Sequence, residues 1–181
     1  MAGKRRNPLP LTAPRLEELA LAYVARFATT QAKLRSYLQR KLAERGWEGE
    51  DAPPVEAVVA RHVELGYIDD AAWARMKAQS LLRRGYGARR VGEALGQAGV
   101  DADLREEARP DEAQERRAAL ALARRRRLGP YAAQPPDRAL REKHLAAMLR
   151  AGHRLDIARA IVDAGDADAA EQWADSLSGD L

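Results

Sequence analysis

The sequence predicts an all-α protein built from three tandem three-helix repeats, and three observations lead to this prediction. Aromatic residues make up only 5% of the 181 residues, and Ala, Leu, Arg and Glu dominate, a composition that favours helix over sheet. Apolar residues recur at helical spacing, and Gly or Pro marks the short turns between these stretches. Glycines that end helices recur every 53 residues, at Gly46, Gly99 and Gly152.

An apolar residue (Leu42, Leu95 or Met148) stands four positions before each of these glycines. A shared spacing, a shared stop signal and an apolar residue in register indicate repeated units, and three-helix units of this size are typical of helix-turn-helix modules. The predicted organisation is a flexible basic and Pro-rich arm at 1–14, repeats at 15–68, 69–110 and 111–165, and a polar acidic tail at 166–181.

The first repeat contains three amphipathic patterns. Two of them predict helices from Leu16 to Ala28 and from Gln31 to Arg45. The third is the clearest, because five residues form one stripe that is bounded by prolines before it and a glycine after it: Val55, Val58, Val59, His62 and Val63. His62 lies on this apolar stripe, so we interpret it as a core residue and not as a metal ligand.

The second repeat begins with Asp69 as a helix N-cap, and Ile68 just before it can pack onto Trp73. Trp73 and Leu95 each lie on an apolar stripe and are predicted core residues. The next helix contains Gly92 and Gly96, each costing about 1 kcal/mol against Ala. Either a neighbouring helix or a partner approaches there, or the glycines reflect sequence drift; the sequence leaves both interpretations open.

The third repeat opens with a predicted helix from about Asp111 to Arg127. The stretch "LGPYAAQPPD" then breaks the helical pattern, because it is rich in Gly and Pro. A last apolar stripe follows at Leu155, Ala158, Ile161 and Val162. The tail from Asp166 is acidic and polar, and we expect it to be loose apart from contacts made by Trp173.

Composition and motifs exclude several functional classes. There is no cysteine, which excludes disulfides and thiolate zinc sites and fits a reducing cytoplasm. No apolar run approaches the roughly 20 residues of a membrane span, and the start lacks the apolar core of a secretory signal. We find no nucleophile motif, phosphate-binding glycine loop or metal-ligand cluster. The sequence therefore predicts a cytoplasmic, non-enzymatic protein without cofactor or metal, which we expect to be a monomer.

The charged residues point to a polyanionic or acidic partner. The 31 Lys and Arg exceed the 27 Asp and Glu by only four, but most of the basic residues are Arg, which binds phosphates and carboxylates through a planar fork. Arg83–Arg84 and Arg89–Arg90 flank Gly85-Tyr86-Gly87, and the glycines allow the chain to reverse. We therefore predict that both arginine pairs converge on one edge, without an acidic partner closer in sequence than Glu93.

Further residues are candidates for the same contact. Tyr86 can stack on a base or bind a phosphate, although it can equally pack inward. The run Arg124, Arg125, Arg126 and Arg127 wraps around a helix end, so it either binds phosphate or is simply solvated. Lys4, Arg5 and Arg6 either contact DNA from a disordered arm or have no role in binding.

The motifs resemble those of the RecX family of recombination regulators. Three stretches carry the resemblance: "LRSYLQRKLAERGW", "LGYIDDAAWARMKAQSLLRRGYGARRVGEALGQAGV" and "LRAGHRLDIARAIV". This chain departs from the family pattern at Gly92, at Gly96 and at His153, where the family commonly has an aromatic residue. The resemblance implies an elongated, curved molecule that binds the filament of the RecA recombinase on DNA, inhibits strand exchange, ATPase and filament growth, and thereby regulates homologous recombination, DNA repair and the SOS response.

Two other functions remain open from the sequence. A stand-alone helix-turn-helix regulator would read base edges with one helix, but no single helix here concentrates the Asn, Gln and Arg that base readout favours. A scaffold for some other protein would bind neither RecA nor DNA. For the RecX-like function we expect binding to single- and double-stranded DNA that is independent of sequence and weaker than binding to the RecA filament.

Overall fold

The computed structural model describes residues 9–177 and consists of helices joined by short turns, which confirms the all-α prediction. The helices in these residues are α1 Ala13–Val24, α2 Gln31–Arg45, α3 Val55–Glu64, α4 Asp70–Arg83, α5 Ala88–Gln97, α6 Ala102–Glu107, α7 Glu112–Arg126, α8 Arg138–Arg150, α9 Leu155–Val162 and α10 Ala167–Asp175. A short 3-10 helix, Gly129–Tyr131, precedes α8. None of the described helices is both long enough and apolar enough to cross a bilayer. Lys4, Arg5 and Arg6 lie outside the described residues.

The chain divides into two compact units. The first comprises the residues up to Trp73 together with Ala98–Val100, and the second comprises Ala74–Gln97 and the residues from Asp101 onward. This division by contacts does not follow the sequence repeats, because most of the second repeat belongs to the same unit as the third. The repeat boundaries therefore stay a prediction about the sequence.

The first unit has a single apolar core to which α1, α2 and α3 contribute. Its buried side chains come from these helices and from the segments that flank them: Leu11, Leu16, Ala20, Leu34, Leu38, Val55, Val58, Val59 and Ile68. His62 is only 2% exposed, and its Nδ1 lies 2.8 Å from the Val58 carbonyl oxygen. The predicted stripe on α3 and the core position of His62 are confirmed.

The start of the first unit differs from the sequence prediction. Leu11 is fully buried, its N–H donates to the Gly46 carbonyl (3.0 Å), and its carbonyl accepts from the Glu48 N–H (3.0 Å). Residues 11–14 are therefore not part of a loose arm. Helix α1 begins at Ala13, before the predicted residue 16, because a proline in the first helical turn lacks only an N–H that would be unpaired anyway.

Helix α1 also ends earlier than predicted, at Val24 instead of Ala28. The chain leaves the helix so that Thr30 can cap α2. The Thr30 Oγ1 accepts from the Lys33 N–H (3.3 Å) and donates to the Ala98 carbonyl (2.6 Å), and its side chain is fully buried. The cap residue therefore links the start of α2 to a distant segment of the same unit. Helical periodicity cannot predict such a long-range hydrogen bond.

The two aspartates that open α4 have structural roles. The Asp69 carboxylate accepts from the Ala72 N–H at 2.8 Å, which confirms the predicted N-cap. The Asp70 carboxylate accepts from the Gln31 N–H at 3.0 Å, and partial burial raises its pKa. Trp73 is 7% exposed and Leu95 fully buried, so both predicted core positions are confirmed.

The second unit has its own core, to which α7, α8, α9 and α10 contribute buried side chains. The predicted loose tail is wrong for residues 166–175. Asp166 caps α10 by accepting from the Ala169 N–H (2.8 Å), and Ala170 and Ala174 are fully buried. The Arg116 guanidinium lies 4.3 Å from the centre of the Trp173 ring. Ala170 and Ala174 lie four positions apart and form one apolar face of α10. The acidic composition of this segment gives no indication of that face.

The glycines at the repeat spacing all have a positive φ. Gly46, Gly99 and Gly152 have φ values of 80°, 70° and 94°, a left-handed region that strongly favours glycine. Gly92, in contrast, has no described atom within 4 Å of the position that a Cβ would take, and Gly96 would meet only the Arg105 Nη1 at 3.3 Å. No close neighbour within the described chain requires glycine at Gly92, which leaves a partner's approach or sequence drift.

Candidate nucleic-acid interface

The turn Gly85–Tyr86–Gly87, between α4 and α5, is bound by the turn that follows α8. The Gly87 N–H donates to the Ala151 carbonyl (2.9 Å), and the Arg89 N–H donates to the Gly152 carbonyl (3.2 Å). The His153 Nε2 donates to the Gly85 carbonyl (3.0 Å). Three hydrogen bonds over so short a segment set the position from which the flanking arginines project.

Both glycines of this turn are required by close packing. A Cβ on Gly87 would overlap the carbonyl group of Gly152 and lie 2.5 Å from the His153 nitrogen. Gly85 has a φ of 74°, and a Cβ there would lie 2.9 Å from the Leu122 backbone. The sequence indicated a chain reversal here, whereas the structure adds that neighbouring backbone touches the turn on two sides.

His153 is a residue of this site that sequence patterns did not assign to it. It is 4% exposed, and burial lowers its pKa, so the neutral imidazole is favoured. It follows Gly152 in the repeat just as Trp47 follows Gly46 and Val100 follows Gly99. That register predicts a buried side chain at this position, but only the structure shows that the ring reaches the Gly85 carbonyl.

The four arginines of the predicted cluster line three different recesses. Arg84 and Arg90, one from each pair, line a recess of about 170 Å³ together with Tyr86. Arg83 lines a separate recess of about 380 Å³, and Arg89 lines a larger groove of about 590 Å³. Arg84 and Arg90 thus share one recess, and Arg89 reaches the Glu93 carboxylate that also lines it, whereas the convergence of all four arginines stays a prediction. Tyr86 is half-buried, with the Arg84 guanidinium 5.4 Å from its ring centre.

The arginines that begin α5 have an acidic partner within the chain. Glu93 lies 2.5 Å from the Arg89 Nη1 and 3.0 Å from the Arg90 Nη1, and its pKa is lowered chiefly by the hydrogen bond from Arg90. The side chains of both arginines are at least half exposed. Exposed pairs of this kind contribute little to stability. A phosphate or carboxylate of a partner can therefore replace Glu93 at low cost.

The run from Arg124 to Arg127 is divided in its roles. Arg124 lies 2.5 Å from Glu171 of α10 and 5.9 Å from the Tyr131 ring centre, and the hydrogen bond to Glu171 raises its pKa. Arg125 and Arg126 are exposed in the last turn of α7, where cations suit the helix dipole. Arg127 ends the helix with a φ of 55°. Arg124 thus links two helices, but its side chain is half exposed, so all four arginines of the run stay candidate contacts.

Residues 9–177 contain no group of three or more His, Cys, Asp or Glu side chains that could hold a metal ion. The candidate interface therefore consists of guanidinium groups, one aromatic ring and backbone amides. Such a set can bind phosphates or carboxylates and stack on flat rings.

Comparisons with known proteins match this chain over nearly its whole length. A family model described as "RecX, second three-helix domain" matches residues 69–108, which include the Gly85–Tyr86–Gly87 turn. The regulatory protein RecX of Myxococcus xanthus (strain DK1622) is 36% identical over 171 residues, which cover 90% of this chain and 91% of that protein. The chain belongs to the RecX family.

Other RecX proteins agree with this assignment. The regulatory protein RecX of Thermus thermophilus (strain ATCC 27634) is 38% identical over 108 residues, covering 60% of this chain and 71% of that protein. The crystal structure of RecX from Lactobacillus salivarius is similar with a TM-score of 0.66 and 18% identity, covering 91% of this chain and 97% of that chain. At this identity the structural similarity shows the RecX fold alone.

Proposed function

We propose that this RecX protein is a non-enzymatic cytoplasmic regulator of homologous recombination and DNA repair that binds the RecA–DNA filament and inhibits RecA. The observation that carries the proposal is the recess lined by Arg84, Tyr86 and Arg90. One arginine from each side of a rigidly held turn meets an aromatic ring there, a combination that suits a phosphate backbone or an acidic protein surface.

The interface provides positive charge, but its charged residues do not lie along one recognition helix that could read base pairs in a duplex. Its cations come from the end of α4 and the start of α5, and they are distributed over three recesses and not along one helix face. Direct readout by a helix-turn-helix protein instead requires several base-contacting side chains at the start of one recognition helix. The distribution favours contacts to phosphates, which are the same in every sequence.

The regulatory function predicts a lower rate of ATP hydrolysis by RecA on single-stranded DNA when the protein is added. Replacing Arg83, Arg84, Arg89 and Arg90 by Ala together should weaken this inhibition. A suitable control replaces four other exposed arginines: Arg26, Arg61, Arg138 and Arg159. An unchanged ATPase rate with the unmodified protein contradicts the regulatory function, and equal inhibition by the cluster variant contradicts the role of the cluster.

DNA binding through the same cluster predicts a particular dependence on salt. Each phosphate contact that is lost should flatten the plot of log K against log salt by about 0.7–0.9. The variant with all four arginines changed to Ala should therefore lose up to about three units of slope, for every DNA sequence alike. A control variant with Lys at the same four positions retains the charge and should keep the slope.

The alternative function, a stand-alone helix-turn-helix regulator, is distinguished by binding to DNA of unrelated sequences but equal length and base composition. The regulator of a recombinase should bind them equally, whereas a sequence reader should prefer one. A preference by a factor of about 10³ or more, typical of specific readout, would favour the alternative.

A further inference from the structure

A groove of the second unit is lined by α5, α6 and the turn that follows α8. Its volume is about 590 Å³, which is within the range of about 300–1,000 Å³ that is common for sites of small ligands. The apolar side chains that line it are Ala88, Val91, Leu95, Ala102 and Pro110. Val91, Leu95 and Pro110 are buried beneath the groove, so the accessible apolar side chains are those of Ala88 and Ala102. Gly92 contributes no side chain, and the space in front of it is open. A flat apolar group can lie against such a surface.

Two buried acceptors lie among the residues that line this groove. Glu115 is 3% exposed, and its Oε2 finds no hydrogen-bond partner among residues 9–177. His153 donates its Nε2 proton to the Gly85 carbonyl, so its Nδ1 carries a lone pair, and this atom is likewise buried and unpartnered within those residues. An unpaired buried polar group costs about 1–3 kcal/mol. Both atoms have almost no accessible surface, so a ligand that supplies hydrogen-bond donors would remove this cost only after the side chains that cover these atoms move aside.

The outer part of the groove is cationic. Arg89, Arg105, Arg109 and Arg154 line it, and all four side chains are exposed. Three of them form ion pairs with exposed acids (Arg89 with Glu93, Arg109 with Glu106 and Arg154 with Asp156). Pairs of this kind are easily exchanged for another anion. The groove thus offers an apolar surface, buried acceptors and exposed guanidiniums.

We infer that this groove binds one nucleotide of single-stranded DNA. The base of that nucleotide is unstacked and lies against the apolar surface, where its exocyclic amino group donates a hydrogen bond to Glu115 or His153. The phosphates of the nucleotide contact the exposed arginines. A base has flat apolar faces, and its N–H groups are the donors that the two acceptors in the groove lack. The adjoining phosphate provides the negative charge that the exposed arginines can bind. A carboxylate is the acceptor that proteins use for the amino group of cytosine. Regulation of RecA is not needed for this inference, which concerns the protein with DNA alone.

The inference predicts a base preference that a purely electrostatic surface lacks. Oligo(dC) and oligo(dU) of equal length differ only in an amino or keto group at one ring position and in the protonation of the adjacent ring nitrogen, so they form a matched pair of probes. At mildly alkaline pH, where cytosine is uncharged, binding to oligo(dC) should be about tenfold tighter. Equal affinity for the two probes would overturn the inference.

Two positions test the location of the site. Gly92→Leu places a side chain into the open groove without a clash at the Cβ position, and it should bring oligo(dC) binding down to the level of oligo(dU). Gly92→Ala is the matched control and should keep most of the preference. Glu115→Met has a similar size but no carboxylate and should also lose the preference, whereas Glu115→Gln retains an oxygen and should keep part of it. Thermal melts confirm that each variant is folded.

The same variants show whether the groove itself recognises the base. A preference for oligo(dC) that survives in both Gly92→Leu and Glu115→Met would place base recognition elsewhere and overturn the inference. Free dCMP that binds as tightly as oligo(dC) would overturn the assignment to single-stranded DNA. Because RecA is absent from these measurements, their failure leaves the ATPase test of the proposed function unaffected.

Discussion

Replacement of Trp73 by Ala is expected to lower the free energy of unfolding by about 3–5 kcal/mol, the usual loss for a buried large aromatic side chain. Trp73 is 7% exposed, and its indole N–H donates to the Ala28 carbonyl at 3.2 Å. The Lys33 Nζ lies 4.3 Å from its ring centre. The truncation therefore removes apolar contacts and leaves a carbonyl without its donor.

Urea denaturation of the purified variants measures this loss. Met76→Ala is the matched control, because Met76 lies on the same helix but is 49% exposed and should cost below about 1 kcal/mol. Trp73→Phe keeps an aromatic ring but loses the indole N–H, and its cost should lie between the two. A loss below about 1 kcal/mol for Trp73→Ala would contradict its place in the core.

Replacement of Gly87 by Ala is expected to destabilise the second unit by about 3 kcal/mol, at the upper end of the cost of overpacking. The new methyl group would overlap the Gly152 carbonyl group and lie 2.5 Å from the His153 nitrogen. These neighbours are backbone atoms, so they cannot move aside by changing a rotamer. The same substitution should displace the turn that carries the arginines and thus weaken DNA binding.

Gly92→Ala is the control, because it is expected to change the stability in the opposite direction. Gly92 lies inside α5 and has open space at the Cβ position, so Ala should stabilise the protein by about 1 kcal/mol through its higher helix propensity. Thermal melts of the two variants measure both effects. Equal melting temperatures for Gly87→Ala and Gly92→Ala would show that the turn is not held against Gly152.

Features with a short-range cause could be predicted from the sequence. The stripe on α3 that includes His62 depends only on helical periodicity, and the cap at Asp69 depends on the next three residues. The spacing of Gly46, Gly99 and Gly152 predicted helix ends, and their positive φ values bear this out. In each case the residues that cause the structure are close in sequence or repeat at a fixed distance.

Features that depend on distant residues could not be predicted in this way. The pairing of Arg124 with Glu171, the burial of Leu11 beside Gly46 and the apolar face of α10 all involve partners that no periodicity connects. An arginine run has the same local pattern whether its members are solvated, paired or available to a ligand. Charge patterning alone therefore did not reveal that Arg124 pairs with Glu171.

The sequence by itself determined the helical class and most helix positions, because amphipathic spacing and glycine stops are local properties of the chain, and its motifs indicated the family. Only the tertiary structure decided how the arginines are distributed over separate recesses and which of them Glu93 binds. It also decided that Glu115 and His153 line one groove. These outcomes depend on which helix surfaces pack together, and packing brings together residues that lie far apart in the sequence.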